Sequence, residues 1–222
     1  MFIGHYAPAL VVAALPKAPK LGILFVAAQL VDIAFFIFVL GGVEAMRLTP
    51  NITVMNGLDL YYMPYTHSLL GNVIWGGGFA VIIWAMTKSR TGALMAGAVV
   101  TSHWFTDLLV HRPDLTLAGS PPPLGLGLWN YPMIAVPLEL GFIGGSLAFY
   151  LSRTTHIDGT AKHWPWTLGV VMLLVQLYNW LSPEPKALDA SLPISALLAF
   201  GLFAWLAFKV GQTRARERAG EI

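Results

Sequence analysis

Residues 91–111 read TGALMAGAVVTSHWFTDLLVH, an apolar run of membrane-spanning length that carries His103, Asp107 and His111 only towards its end. An α-helix rises about 1.5 Å per residue, so about 20 such residues cross the hydrocarbon layer of a bilayer. Working outward, runs of the same kind lie at about 21–43 and 67–87 before it, and at about 131–151, 165–181 and 191–210 after it. A shorter apolar stretch, Phe2 to Leu15, stops at Pro16 and Pro19 and reads as a half-span or interfacial helix. The expected fold is therefore all-α: a polytopic integral membrane protein with about six transmembrane helices plus a short N-terminal helix. The whole of 1–222 forms one domain in this reading, with a short basic tail at about 211–222.

Composition supports the bilayer as solvent. Of 222 residues, 56% are hydrophobic and 11% charged, more apolar surface than one water-soluble core of this size hides. The chain has no cysteine, so any metal must be held by His, Asp or Glu. A net charge of +2, with basic residues scattered between apolar runs, argues against a nucleic-acid partner. No Lys or Arg precedes the first apolar stretch, so it lacks the charged start of a secretory signal and is expected in the mature protein.

Basic residues orient the spans, because cytoplasmic loops retain them. One side collects ten: Lys17, Lys20, Lys88, Arg90, Arg153, Lys162, Lys209, Arg214, Arg216 and Arg218. The other side has three, Arg47, Arg112 and Lys186. A cytoplasmic C-terminus follows, and the long loops at about 44–66 and 111–130 then face outward. Tyr61, Tyr62, Tyr65 and Trp129 in these loops fit headgroup anchors as well as they fit a covered site. Gly141 with Gly145, Gly92 with Ala96, and Gly76 to Gly78 have the small-residue spacing that lets membrane helices approach closely.

Ionisable groups inside spans cost roughly 2.5–3.5 kcal/mol on insertion scales, so each one needs a reason. His103, Asp107 and His111 are spaced by four residues and share one helical stripe. Imidazole and carboxylate together suit a divalent cation such as zinc, although a plain His–Asp hydrogen bond between two buried groups fits the spacing equally. In the inferred orientation His67, His103, Asp107 and Glu139 all fall in the outer half, and His5 begins on that side. Asp32 sits about 16 Å deep, where it can floor a cavity opening outward. Gln29, three residues before Asp32, is a candidate partner of that carboxylate or an interhelical hydrogen bonder.

Asp32 in Leu-Val-Asp-Ile, Thr66-His67-Ser68 opening a span, His103-Trp-Phe-Thr-Asp107 closing one, and an early His5 together resemble a known family. It comprises the bacterial membrane-bound, metal-dependent hydrolases regulated with the DNA-damage response. The resemblance covers roughly the first half of the chain and implies a metal bound by His5, Asp32, His67, His103 and Asp107. Members often carry a further His and an Arg-Gly pair before Thr-His-Ser, where this chain has Met63-Pro64-Tyr65. The function expected is metal-assisted hydrolysis of a lipid or lipid-linked ester or phosphoester, with Asp32 or Glu139 as catalytic base. His111 and Arg112 at the lip are candidates to hold an anionic group, or else they meet lipid headgroups. The rival readings are a transporter or ion relay, a bis-histidine haem protein, and a non-catalytic subunit with a membrane protein partner.

The orientation is tested with single cysteines. Ser120→Cys should react with a membrane-impermeant thiol reagent in intact cells while Ser89→Cys is protected, and the opposite pattern reverses the topology.

Overall fold

Chain breakers and caps delimit the helices. In the computed structural model, which describes residues 1–183 and 187–216, α2 (Leu21–Leu40) starts after Pro19 and stops at Gly41, with Gly42 in the left-handed region (φ 69°). Ser68 and Ser89 cap α3 (Leu69–Thr87) and α4 (Arg90–Val110): their hydroxyls accept the Gly71 and Gly92 N–H groups at 3.0 and 3.1 Å. Proline stands in the first turn of α5 (Pro132–Ser152) and α6 (Trp164–Leu181), where its missing N–H costs nothing. The last helix is α7 (Ser191–Thr213). Lys186, Arg218 and the rest of the tail beyond Arg216 lie outside the described residues.

Five helices, α2, α3, α4, α5 and α7, are long and apolar enough to cross a membrane. The sixth expected span corresponds to α6, an 18-residue helix that carries Gln176 and Asn179 and is not among those five. The chain is mostly helical but not wholly so. Residues expected as an irregular outer loop form an antiparallel hairpin, β1 (Ala45–Leu48) with β2 (Leu58–Tyr62). The expected tail from about 211 is also ordered at its start, because β4 (Arg214–Arg216) pairs with β3 (Thr154–His156). Arg216 reaches back to accept its place in the bundle by donating to the carbonyls of Ala13, Ala18 and Pro19 at 2.7–2.8 Å. It thereby satisfies the last carbonyl of the first helix and two carbonyls of the connection to α2.

That first helix is not interfacial. A 3₁₀ turn (Ile3–Tyr6) runs into α1 (Ala7–Ala13), and Ile3, Tyr6, Ala9, Leu10 and Ala13 are buried between the longer helices. A helix start in a dry interior leaves N–H groups that must find acceptors. Two helices, α5 and α6, supply them: Glu139 Oε1 accepts from Phe2 N (2.6 Å) and Gly4 N (3.0 Å), and Gln176 Oε1 accepts from Ile3 N (3.3 Å). The polar groups of α5 and α6 thus hold a half-span wedge in the bundle.

Helix α3 crosses α4 where Gly76 meets Gly97, and a Cβ on either would sit 2.7 Å from the other's carbonyl oxygen. Gly141 and Gly145 differ from the expectation, since a Cβ there meets nothing within 4 Å. Gly76→Leu should lower the melting temperature in detergent, consistent with an overpacking cost of about 1–3 kcal/mol. Gly141→Leu should leave it unchanged.

Candidate metal centre

The loops place the site by closing helix ends. The N–H groups of Leu69 and Leu70, at the start of α3, donate to Thr116 O and Leu117 O at 3.0 and 2.9 Å. This bond pair fixes Thr66-His67-Ser68 against the 111–130 loop. At the other end of the loop, Leu126 N and Gly127 N donate to the carbonyls of Leu108 and His111 at 2.8 and 2.7 Å, closing the end of α4. Beneath these closures Phe35, Met46, Leu60, Met63, Trp104 and Leu115 form a small second core.

Five segments meet under this cover. His5 Nε2 lies 3.0 Å from Asp107 Oδ1, and His103 Nε2 lies 3.1 Å from Asp107 Oδ2. His67 Nε2 is 3.2 Å from Asp32 Oδ1 and 3.7 Å from Asp107 Oδ2, while His103 Nε2 is 3.4 Å from Asp32 Oδ1. His111 Nε2 approaches Asp107 Oδ1 at 3.5 Å, and the Met1 backbone nitrogen stands 3.2 Å from the same oxygen. The ligand atoms of His5, His103 and Asp107 all lie within 4.8 Å of one another, as do those of Asp32, His67 and His103. The five residues that the family resemblance names therefore share one cluster.

The hydrogen bonds behind the rings set the direction of every imidazole. His103 Nδ1 is 2.9 Å from Ala28 O, a carbonyl that can only accept, so Nδ1 carries the proton. His111 Nδ1 donates to the Asp114 carboxylate at 2.9 Å. Thr106 spends its hydroxyl proton on His103 O (2.8 Å), so it accepts from His5 Nδ1 at 2.6 Å. Thr66 donates to Glu44 Oε2 (2.6 Å) and accepts from His67 Nδ1 (2.8 Å). With Nδ1 engaged outward, all four rings turn Nε2 towards the oxygens of Asp32 and Asp107.

An imidazole nitrogen facing a carboxylate oxygen in a dry interior is stable only with a proton or a metal cation between them. Asp107 Oδ2 and His103 Nε2 are both buried and lack a hydrogen-bond partner although they are 3.1 Å apart. Outward Nδ1–H bonds with inward Nε2 atoms are the arrangement of metal-ligating histidines. The buried His and Asp groups could hold a metal ion. His111 lies beyond α4; burial disfavours its charged form, yet the Asp107 and Asp114 carboxylates outweigh this and raise its pKa above the ordinary imidazole value.

Three expectations are corrected. Glu139 is not in the cluster: it caps the backbone of the N-terminal wedge, which explains a carboxylate in α5 without catalysis. Arg112 is spent on Asp59 and on Asp114 (3.3 Å), and Arg47 joins it at Asp59 (2.7 Å), so this guanidinium ties the hairpin to the loop and does not stand ready for an anion. Gln29 donates to Phe2 O at 3.4 Å and serves the same wedge, not Asp32.

Sequence reasoning missed Glu44. It is buried and accepts from Tyr65 N, Thr66 N and the Thr66 hydroxyl at 2.6–3.0 Å. Nothing in Val-Glu-Ala marks it, because its partner lies about twenty residues away across the hairpin. Thr66 and Thr106, each adjacent to a candidate ligand, were the legible part of that outer layer.

Comparison with protein-family models, with curated proteins and with solved structures finds no match for this chain.

Elemental analysis of purified protein should find bound metal that is lost in His103→Ala and in Asp107→Ala. Chelator competition should show Glu44→Gln binding metal about 10–100-fold more weakly, as expected when the hydrogen bonding behind a ligating imidazole is disturbed. Equal affinity would mean that the Glu44–Thr66 chain does not orient His67.

Proposed function

We propose that the chain is a membrane-embedded, metal-dependent hydrolase acting on a lipid or lipid-linked ester or phosphoester. The observation that carries this reading is the exposure pattern of the centre. The side chains of His5, His67, His103, Asp107 and His111 are 0–3% exposed, whereas that of Asp32 is 18% exposed. The centre therefore has one open edge, and a carboxylate lines it. Phe36, one turn further along α2, is half-buried with its ring 6.1 Å from that of Phe200 in α7, giving this edge an apolar flank suited to a lipid.

A divalent cation, zinc in this proposal, supplies Lewis acidity when bound: it polarises the scissile group and lowers the pKa of water. The protein's own residues do the remainder. Asp32 Oδ1 turns inward to His67 and His103, and among the described residues its other oxygen accepts no hydrogen bond. That oxygen is free to take the proton of an attacking water. The buried imidazoles hold the geometry, and the loop cover and hairpin exclude bulk water from every side but one.

The rivals fit the molecule less well. A transporter needs a polar path through the bundle. Away from the centre the interior is instead lined by Leu21, Leu24, Phe25, Ala96, Val99 and Phe203, and among the described residues the one buried acid outside the centre and its loop cover is Glu139, which caps the wedge. A bis-histidine haem needs two rings on opposite faces of a macrocycle, but His5 and His103 stack at 3.8 Å. Where the resembling family has a further His and Arg-Gly, Met63 fills the second core and Pro64 O accepts from Ser68 Oγ at 2.7 Å. In this reading α6 is a sixth span in the bacterial inner membrane, the C-terminus is cytoplasmic, and Asp32 opens to the periplasmic half.

Metal-loaded protein in mixed micelles of detergent and anionic phospholipid should release a hydrolysis product detectable by mass spectrometry. Asp32→Asn should lower kcat by about 10²–10⁴-fold. Fully loaded protein that turns over neither ester nor phosphoester lipids sinks the proposal.

A further inference from the structure

The donors outnumber the needs of one small cation. Four imidazoles and two carboxylates point inward, whereas a tetrahedral site takes four ligands. They also divide. Asp107 Oδ2 faces His67 and His103, which in turn face Asp32, while Asp107 Oδ1 faces His5 and His111. One carboxylate with each oxygen turned to a different pair of imidazoles is the geometry of a bridge.

We infer that the centre holds two divalent cations bridged by Asp107, one on the Asp32–His67–His103 side and one on the His5–His111 side. His111 is thereby a metal ligand, a role that its place at the loop start concealed. Its Nδ1 is held by Asp114 at 2.9 Å and its ring lies 4.3 Å from that of Trp129, so it is as firmly oriented as the deeper histidines. Paired cations in hydrolytic sites stand about 3.5–4 Å apart, a separation that the two oxygens of one carboxylate span.

The inference rests on the hydrolase reading for its consequence, which concerns substrate class. Two divalent cations outweigh the charges of Asp32 and Asp107 and leave a surplus of positive charge. The nearest guanidinium groups, Arg112 and Arg47, are already paired with Asp59. A surplus carried by the ions themselves selects an anionic phosphoester over a neutral carboxylic ester.

The test loads purified protein with Mn²⁺. Elemental analysis should give two ions per chain, and electron paramagnetic resonance should give the multiline signal of an exchange-coupled pair. His111→Ala and, separately, His111→Asn should each retain one ion and give an uncoupled six-line signal, and inorganic phosphate should perturb the spectrum of the wild type only. One ion per chain in the wild type, or coupling that survives both His111 variants, overturns the inference. Coupled ions without lipid turnover would sink the hydrolase reading and leave the paired site standing, whereas turnover with a single ion would do the reverse.

Discussion

Four hydrogen bonds that point away from the centre determine what the centre is. Each fixes a proton on Nδ1: Ala28 O for His103, Thr106 for His5, Thr66 for His67 and Asp114 for His111. Once those protons are committed, each neutral ring presents Nε2 as an acceptor to carboxylate oxygens that only accept, and each imidazolium presents it as a donor. Such a cluster in a low-dielectric interior is balanced by protons on the imidazoles or by a metal ion between them and the carboxylates, and its geometry could hold a metal ion. The loops, the hairpin and the wedge are best understood as the means of keeping these outward bonds in place.

Much of the helical plan was legible in the sequence because membrane spans announce themselves by length. The apolar runs marked the ends of α2 to α5 to within a few residues. The spacing of His103 and Asp107 was legible too, since four residues on one helix force two side chains together. His67 and Asp32 could be placed near them only through depth, counted from the span ends. What could not be read was how the polar groups divide between work at the centre and service to the backbone. Glu139 and Asp107 look alike as lone acids in apolar runs, yet one caps backbone N–H groups and the other collects imidazoles.

The outer loops were harder for a related reason. The hairpin of β1 and β2 lacks strict alternation of polar and apolar residues, because Leu60 and Met46 pack on a core that exists only once the 111–130 loop has folded over them. Glu44 belongs to the same case. Arg112 shows the converse, where a residue type that suggests ligand recognition is consumed by a structural pairing with Asp59. Long-range partners, and not local pattern, decide the role of each of these side chains.

The wedge formed by the first residues has a consequence for biogenesis. The ribosome delivers Phe2 and Ile3 long before the acceptors of their N–H groups, which lie 137 and 173 positions later in the chain. A nascent protein therefore cannot satisfy these N–H groups until α5 and α6 have been made. His5 joins its neighbours only then, so a truncated or half-inserted chain leaves the candidate centre one imidazole short.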